Sequence, residues 1–297
     1  LTAFLIWGAS PVYWKVLVDV PALEIISHRM AWSFVLLLPL LWWQGRWPEF
    51  IGVLRKPRAL AILLLTGLLV ATNWLIYIWA VNADKVLETS LGYYINPLVT
   101  VFFGFVFFRE KMERVQWLAI SIASVGVLFQ VIRYGRFPWV ALGLALSFAF
   151  YGLIRKKVVI DSLPGLFAET AFLSIPALLF LLVAGVRYRG AFLAGNPVQD
   201  ILLVSTGAVT SLPLLWFAYG ARRLKLTTLG FLQYIAPTLT FFLGVSVFRE
   251  PLDMPKVVTF VCIWVALGLY SWGSFAASRR EQGALATVSD PGTGIKR

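Results

Sequence analysis

Apolar residues in this chain fall into blocks of roughly 17 to 25, parted by short connections that carry most of the charge. A helix rising about 1.5 Å per residue needs about 20 residues to cross hydrocarbon, where only helices and closed barrels satisfy their own backbone groups. With 60% of 297 residues apolar and 13% charged, bilayer rather than water is the solvent this sequence fits.

The blocks predict an all-α integral membrane protein of ten transmembrane helices, near residues 1–17, 23–43, 58–81, 86–108, 112–132, 137–156, 163–185, 198–219, 227–248 and 254–275. Lys and Arg set the orientation. The connections after even-numbered spans, together with the tail, hold 17 of them against 8 on the other side. By the positive-inside rule both termini then face the cytoplasm of a cell inner membrane. Arg55, Lys56 and Arg58, Arg155 to Lys157, and Arg222, Arg223 and Lys225 read as topology anchors. The chain starts at Leu1 inside an apolar run and reads as lacking the first residues of its first span. Residues 276–297 are rich in Ser, Arg, Gly, Asp and Pro and read as a disordered cytoplasmic tail.

A net charge of +12 raises the question of nucleic acid, but the basic residues are scattered in small groups between apolar blocks, which excludes that partner. One cysteine, Cys262, and one histidine, His28, leave no disulfide framework and no Cys/His metal cluster. No P-loop, nucleotide fingerprint or HExxH occurs, so neither a cofactor nor an enzymatic activity is expected.

Shifting the chain by 140 residues aligns LGYYINPLVTVFFGFVFFRE (91–110) with FLQYIAPTLTFFLGVSVFRE (231–250) at nine identical positions of twenty. Tyr94/Tyr234, Pro97/Pro237, Gly104/Gly244 and the closing Phe-Arg-Glu are among them. Membrane composition gives scattered Leu and Phe matches, but it does not bring a proline, a glycine and a charged terminus into one register. The shift maps the fourth span onto the ninth, and an odd number of crossings inverts the second copy. Residues 1–134 and 135–275 thus read as two five-helix inverted-topology repeats, an arrangement suited to alternating access.

VPALEIISHRMAWS (20–33), NWLIYIWAVNADKVLETSLGYYINPL (73–98) and the Phe-Arg-Glu ending at Glu110 resemble the RarD proteins of the EamA-like branch of the drug/metabolite transporter superfamily. The resemblance covers nearly the whole ordered chain. It implies ten helices in two inverted halves and an exporter or permease with a poorly defined substrate, and it supplies no catalytic residues.

Candidate solute-binding residues follow from position. Pro97 and Pro237 lie inside matched spans and release the carbonyls of Tyr93 and Gln233, marking either a midplane site or a packed kink. Tyr94 and Tyr234 stand beside them. Asn73 and Tyr77 share a helix face with Trp74 between them, and Trp7 and Trp14 share a face of the first span. Glu24, His28 and Arg29 form the densest ionisable group in an apolar setting, and intramembrane charge is costly. They read either as a coupling group for protons or as a cap at the start of the second span, with Arg29 snorkelling or pairing to Glu24. Glu88 and Glu169 have weaker claims, because each lies near a helix start.

The sequence therefore reads as a secondary transporter of a small metabolite or drug-like solute, with proton coupling, uniport and exchange all open. The alternative is a membrane sensor or assembly scaffold without transport. Oligomeric state is not legible. The topology predicts that cysteines introduced at Arg55 and at Arg189 react with an impermeant thiol reagent from opposite sides of the membrane, and labelling of both from the periplasm would overturn it.

Overall fold

The computed structural model describes residues 1–83, 85–188, 190–249 and 254–288, with the backbone alone at 82, 188 and 277–288. Among these residues there are twelve helices: α1 (Thr2–Val16), α2 (Ala22–Trp43), α3 (Trp47–Leu54), α4 (Pro57–Asn82), α5 (Val86–Phe108), α6 (Arg114–Tyr134), α7 (Trp139–Lys157), α8 (Ser162–Tyr188), α9 (Pro197–Arg223), α10 (Leu226–Gln233), α11 (Ile235–Ser246) and α12 (Met254–Val288). Nine spans among the described residues are long and apolar enough to cross a membrane, with α10 and α11 counting as one. The chain is a multi-pass membrane protein. The span expected near 1–17 is α1, whose 15 residues rise about 22 Å against a hydrocarbon core of about 30 Å. The helix α12 runs on to Val288, into the segment expected to be a disordered tail, and residues 289–297 lie outside the described residues.

The two matched prolines behave differently. Pro97 sits inside the unbroken α5, whereas the helix leading to Pro237 breaks at Tyr234 into α10 and α11. A proline offers no N–H to the carbonyl four residues earlier, so the chain at Gln233 is free to tighten. The Tyr234 N–H bonds instead to the Phe231 carbonyl at 3.1 Å. Both repeats end alike: Arg109 and Arg249 have φ of 50° and 55°, left-handed values that an arginine adopts only under constraint. In the first copy the next residue supplies that constraint, as the Glu110 carboxylate accepts the N–H groups of Leu226 and Thr227 at 2.7 and 2.9 Å and so caps α10. Glu250, its sequence match, lies outside the described residues.

The helices pack as two units, Leu1–Glu110 with Arg136–Pro251, and Lys111–Gly135 with Leu252–Arg297. In the second unit α6 and α12 lie together, and the Thr259 hydroxyl donates to the Gly126 carbonyl at 3.1 Å. In the first unit α5 packs on α7 and α10, α2 on α8 and α9, α4 on α7 and α8, and α1 on α9 and α11. Helices from residues 1–134 thus pack on helices from 135–275. A shift of five spans turns most of these pairs into one another: α5 on α7 becomes α11 on α1, and α4 on α7 becomes α9 on α1.

Close approach is bought with small residues. A Cβ on Gly207 of α9 would lie 2.4 Å from the Trp32 carbonyl carbon of α2, and one on Gly230 would lie 2.7 Å from the Pro97 oxygen. The Ser33 hydroxyl crosses the first of these contacts to the Gly207 carbonyl at 3.2 Å. Lipid is as apolar as a leucine side chain, so contacts of this kind, rather than water exclusion, hold spans together.

One end of the first unit is tied by charge. Asp161, just before α8, accepts the Ser162 N–H at 2.6 Å and forms ion pairs with Arg46, after α2, and Arg222, at the end of α9. Burial alone would raise the Asp161 carboxyl, but the Ser162 N–H and the two guanidinium groups outweigh it and hold the carboxyl below its ordinary value.

Two outcomes follow. Gly207→Ala should destabilise the detergent-solubilised protein by on the order of 1–3 kcal/mol, whereas Gly185→Ala, with no neighbour within 4 Å, should not; equal thermal midpoints would refute the tight α2–α9 contact. A carboxyl held low when folded contributes stability that is complete above its unfolded value and lost as pH falls through the folded one. Melting at stepped pH should therefore show the parent losing stability below about pH 5, and Asp161→Asn losing less on acidification while starting lower at pH 7. Identical slopes would remove Asp161 from the account.

Candidate functional site

Arg29 lies two turns into α2, an apolar helix whose buried face carries Ser27, Met30, Ala31 and Ser33. Its guanidinium stands over two tryptophan rings, 4.8 Å from the centroid of Trp14 on α1 and 4.3 Å from that of Trp74 on α4. Its Nε donates to the Thr210 hydroxyl on α9 at 2.9 Å. The hydroxyls of Tyr13, Tyr77 and Tyr93 are within its electrostatic reach. Tyr77 and Tyr93 meet edge to face at 6.3 Å, and they keep 38% and 53% of their surface exposed, outside the packed core.

No carboxylate among the described residues lies within ion-pair distance of Arg29. An arginine within a span costs up to about 2.5–3.5 kcal/mol on insertion scales, the upper value applying at the helix centre. Each cation–π contact returns about 0.5–2 kcal/mol, so two aromatic faces and a hydroxyl offset much of that cost without neutralising the charge.

Of the two sequence expectations for Arg29, snorkelling or pairing with Glu24, the pairing is not the contact seen, because Glu24 turns to a different partner. Its carboxylate accepts the Ala191 N–H at 2.6 Å, on the segment between α8 and α9. His28, one turn on, sits 3.9 Å from the same oxygen through Nε2, which has no hydrogen-bond partner. The Trp32 indole donates to His28 Nδ1 at 3.2 Å, which leaves Nε2 as the site for the neutral ring's proton. Phe192 covers the ring at 5.0 Å. The three-residue ionisable group is therefore two sites, a closed Glu24–His28 pair and an open Arg29.

Trp74 and Thr210, which touch Arg29, also line a small void with Gly67, Thr170, Leu214 and Glu169, and Arg29 itself does not line it. Glu169 is 3% exposed, accepts the Thr66 hydroxyl at 2.6 Å and faces Arg155, fully buried, at 3.4 Å. Sequence reasoning took Arg155 for a topology anchor and ranked Glu169 low. The signal was available: a short connection joins α7 to α8, so an arginine near the end of one and a glutamate two turns into the next lie side by side, and the long arginine stem covers the difference in depth.

The remaining predicted residues do not gather at Arg29. Trp7, on the same face of α1 as Trp14, stands in an aromatic cluster with Phe4, Phe148 and Phe217 at 5.6–5.8 Å. Asn73 bridges α4 to α7, donating to the Leu144 carbonyl and the Ser147 hydroxyl at 2.9 Å. Tyr94 and Tyr234 are buried and joined, the Tyr234 hydroxyl donating to the Tyr94 carbonyl at 3.2 Å. Pro97 packs beneath Gly230, Gln233 Oε1 lies 3.3 Å from the Thr100 hydroxyl, and Pro237 is half-buried on α11. The repeat motifs thus meet in a packed crossing of α5 and α10.

Comparison with known proteins agrees with this architecture. Residues 1–132 match the model of the EamA-like transporter family. The chain is 46% identical over 280 residues to an uncharacterized transporter of Vibrio cholerae, covering 91% of this chain and 90% of that protein. It is 43% identical over 282 residues to the protein RarD of Salmonella typhi, covering 95% and 96%. A solved crystal structure titled only as that of a protein superposes with a TM-score of 0.69 at 18% identity, over 91% of this chain and 95% of that one, and shares the fold. On sequence identity over nearly its full length, with an all-helical bundle to match, the chain belongs to the RarD proteins of the EamA-like transporter family.

Proposed function

We propose that this protein is a secondary transporter that moves a small solute across the cell inner membrane, by alternating access between two inverted five-helix halves of a ten-span bundle with both termini in the cytoplasm. One observation carries the reading: an uncompensated Arg29 stands within a span, against the rings of Trp14 and Trp74 and in electrostatic reach of Tyr77 and Tyr93. A scaffold gains nothing from a charge left without a counter-ion in hydrocarbon, whereas a carrier needs a group that its solute can satisfy. The matched helix pairs, the twin left-handed arginines and the relatives' names as transporters support the inverted halves and the class. Arg46, Asp161 and Arg222 close the end that the positive-inside rule puts in the cytoplasm, so the Arg29 cleft belongs to the opposite, outer side.

Proton coupling is assigned to Glu24 and His28. His28 Nε2 is buried, has no hydrogen-bond partner and faces a carboxylate, an arrangement in which gain of a proton creates an ion pair. Asp200 is the other charge acting on the ring. In this scheme the proton biases one of the two access states, while Arg29 holds the solute in both.

In proteoliposomes, Arg29→Ala should abolish solute exchange and accumulation together. His28→Ala or Glu24→Gln should abolish accumulation driven by a pH gradient and leave exchange at equal pH largely intact. Accumulation by a Glu24→Gln/His28→Ala double variant would return that pair to a structural role, and absence of any flux across a broad solute screen would favour a sensor or scaffold.

A further inference from the structure

The guanidinium of Arg29 has five N–H donors in one plane, and the Nε–H is used by Thr210. The four donors on the two terminal nitrogens have no hydrogen-bond partner among the described residues, and the side chain is only half-buried. Trp14 and Trp74 flank the guanidinium. Rings so placed hold the plane of the group, and a planar fork of donors fits two acceptor oxygens at once.

The sign of the site is equally restricted. Glu24 is occupied by the Ala191 N–H and Glu169 faces Arg155, so neither cancels Arg29. A cationic solute would meet an uncompensated like charge. A neutral one would leave the guanidinium desolvated without a counter-ion. Beside the fork, the exposed rings of Tyr77 and Tyr93 offer an apolar wall for the rest of the molecule.

We infer that the solute carried at this site is a small organic anion, which presents two oxygens of a carboxylate or a phosphate monoester to the terminal nitrogens of Arg29 and lays a flat apolar body against Tyr77 and Tyr93. The inference rests on the transporter reading above for the word "carried", but the binding chemistry stands by itself. Trp14 and Trp74 serve to hold Arg29, and Tyr77 and Tyr93 set the shape of what it accepts. Carboxylate and phosphate share the fork chemistry and differ in charge and in number of oxygens, so the two are separable by experiment.

The test uses the purified full chain in detergent micelles with benzoate, phenyl phosphate, the neutral benzamide and the cationic benzylamine, read by tryptophan fluorescence and thermal stabilisation. Benzoate or phenyl phosphate should bind saturably, and benzamide and benzylamine at least about tenfold more weakly. The stronger of the two anions identifies the head group. Arg29→Lys keeps the charge and loses the fork, and should weaken that anion at least about tenfold while the variant melts cooperatively. Equal binding of benzamide, or no saturable binding of either anion, would overturn the inference from the parent protein alone, whatever the variant does. Counterflow of the bound anion in proteoliposomes separates the two readings: binding without counterflow removes transport and leaves the anion site, and counterflow of benzamide as fast as of benzoate removes the anion site and leaves transport.

Discussion

Hydrocarbon offers no hydrogen bonds and no counter-ions, so each polar group inside this bundle has to be answered by another part of the chain. Asn73 finds a carbonyl and a serine, Ser33 finds the Gly207 carbonyl, and Glu169 finds Arg155 and Thr66. These links tie α4, α7 and α8 to one another and, separately, α2 to α9. Arg29 is answered differently: its partners are aromatic faces and a hydroxyl, which ease the charge without cancelling it. The functional reading follows from that incompleteness.

The same constraint shapes the backbone. The spans approach closely where glycine removes the side chain, at Gly207 against Trp32 and at Gly230 beneath Pro97. Helix ends are closed by side chains from elsewhere in the chain, as Glu110 closes α10 and Glu88 accepts the Val140 N–H near the start of α7. A carboxylate at a helix start meets the unsatisfied N–H groups and the positive end of the helix dipole together, which explains why several acidic residues of this membrane protein sit there. Glu24 belongs with them in chemistry, although it serves the Ala191 N–H rather than its own helix.

Two kinds of intramembrane charge can now be told apart. Arg155 and Glu169 are both buried and paired, an arrangement that fixes the α7–α8 hairpin, and losing one partner of such a pair typically costs about 3–5 kcal/mol. Arg29 is half-buried, ringed by aromatics and open on the side of its terminal nitrogens. Residue type does not distinguish them, since both are arginines. What separates them is whether a carboxylate reaches the guanidinium.

Span lengths, the helical class, the 140-residue repeat and the presence of costly charge near the start of α2 were all legible in the sequence, because each depends on local composition or on self-similarity along the chain. Even Trp14, Trp74, Tyr77 and Tyr93 could be named from their positions. Their assembly around Arg29 could not, since it depends on how α1, α2, α4, α5 and α9 rotate about their axes when packed, and rotation is set by contacts between residues far apart in sequence. The same holds for the residues that lie away from Arg29. Trp7 shares a helix face with Trp14 but lies two turns away, where Phe148 and Phe217 fill the space. Glu24 and Arg29 are five residues apart in sequence, a spacing that turns them toward different sides of α2, and the distant Ala191 decides which partner Glu24 takes. Tyr94 and Tyr234 do meet, as their repeat positions suggest, but the close crossing at Gly230 makes that meeting a packed one. The sequence by itself determined which residues had to leave water and which charges came with them; the tertiary structure alone decided which of those charges found a partner, because pairing is a property of distance in space and not of order along the chain.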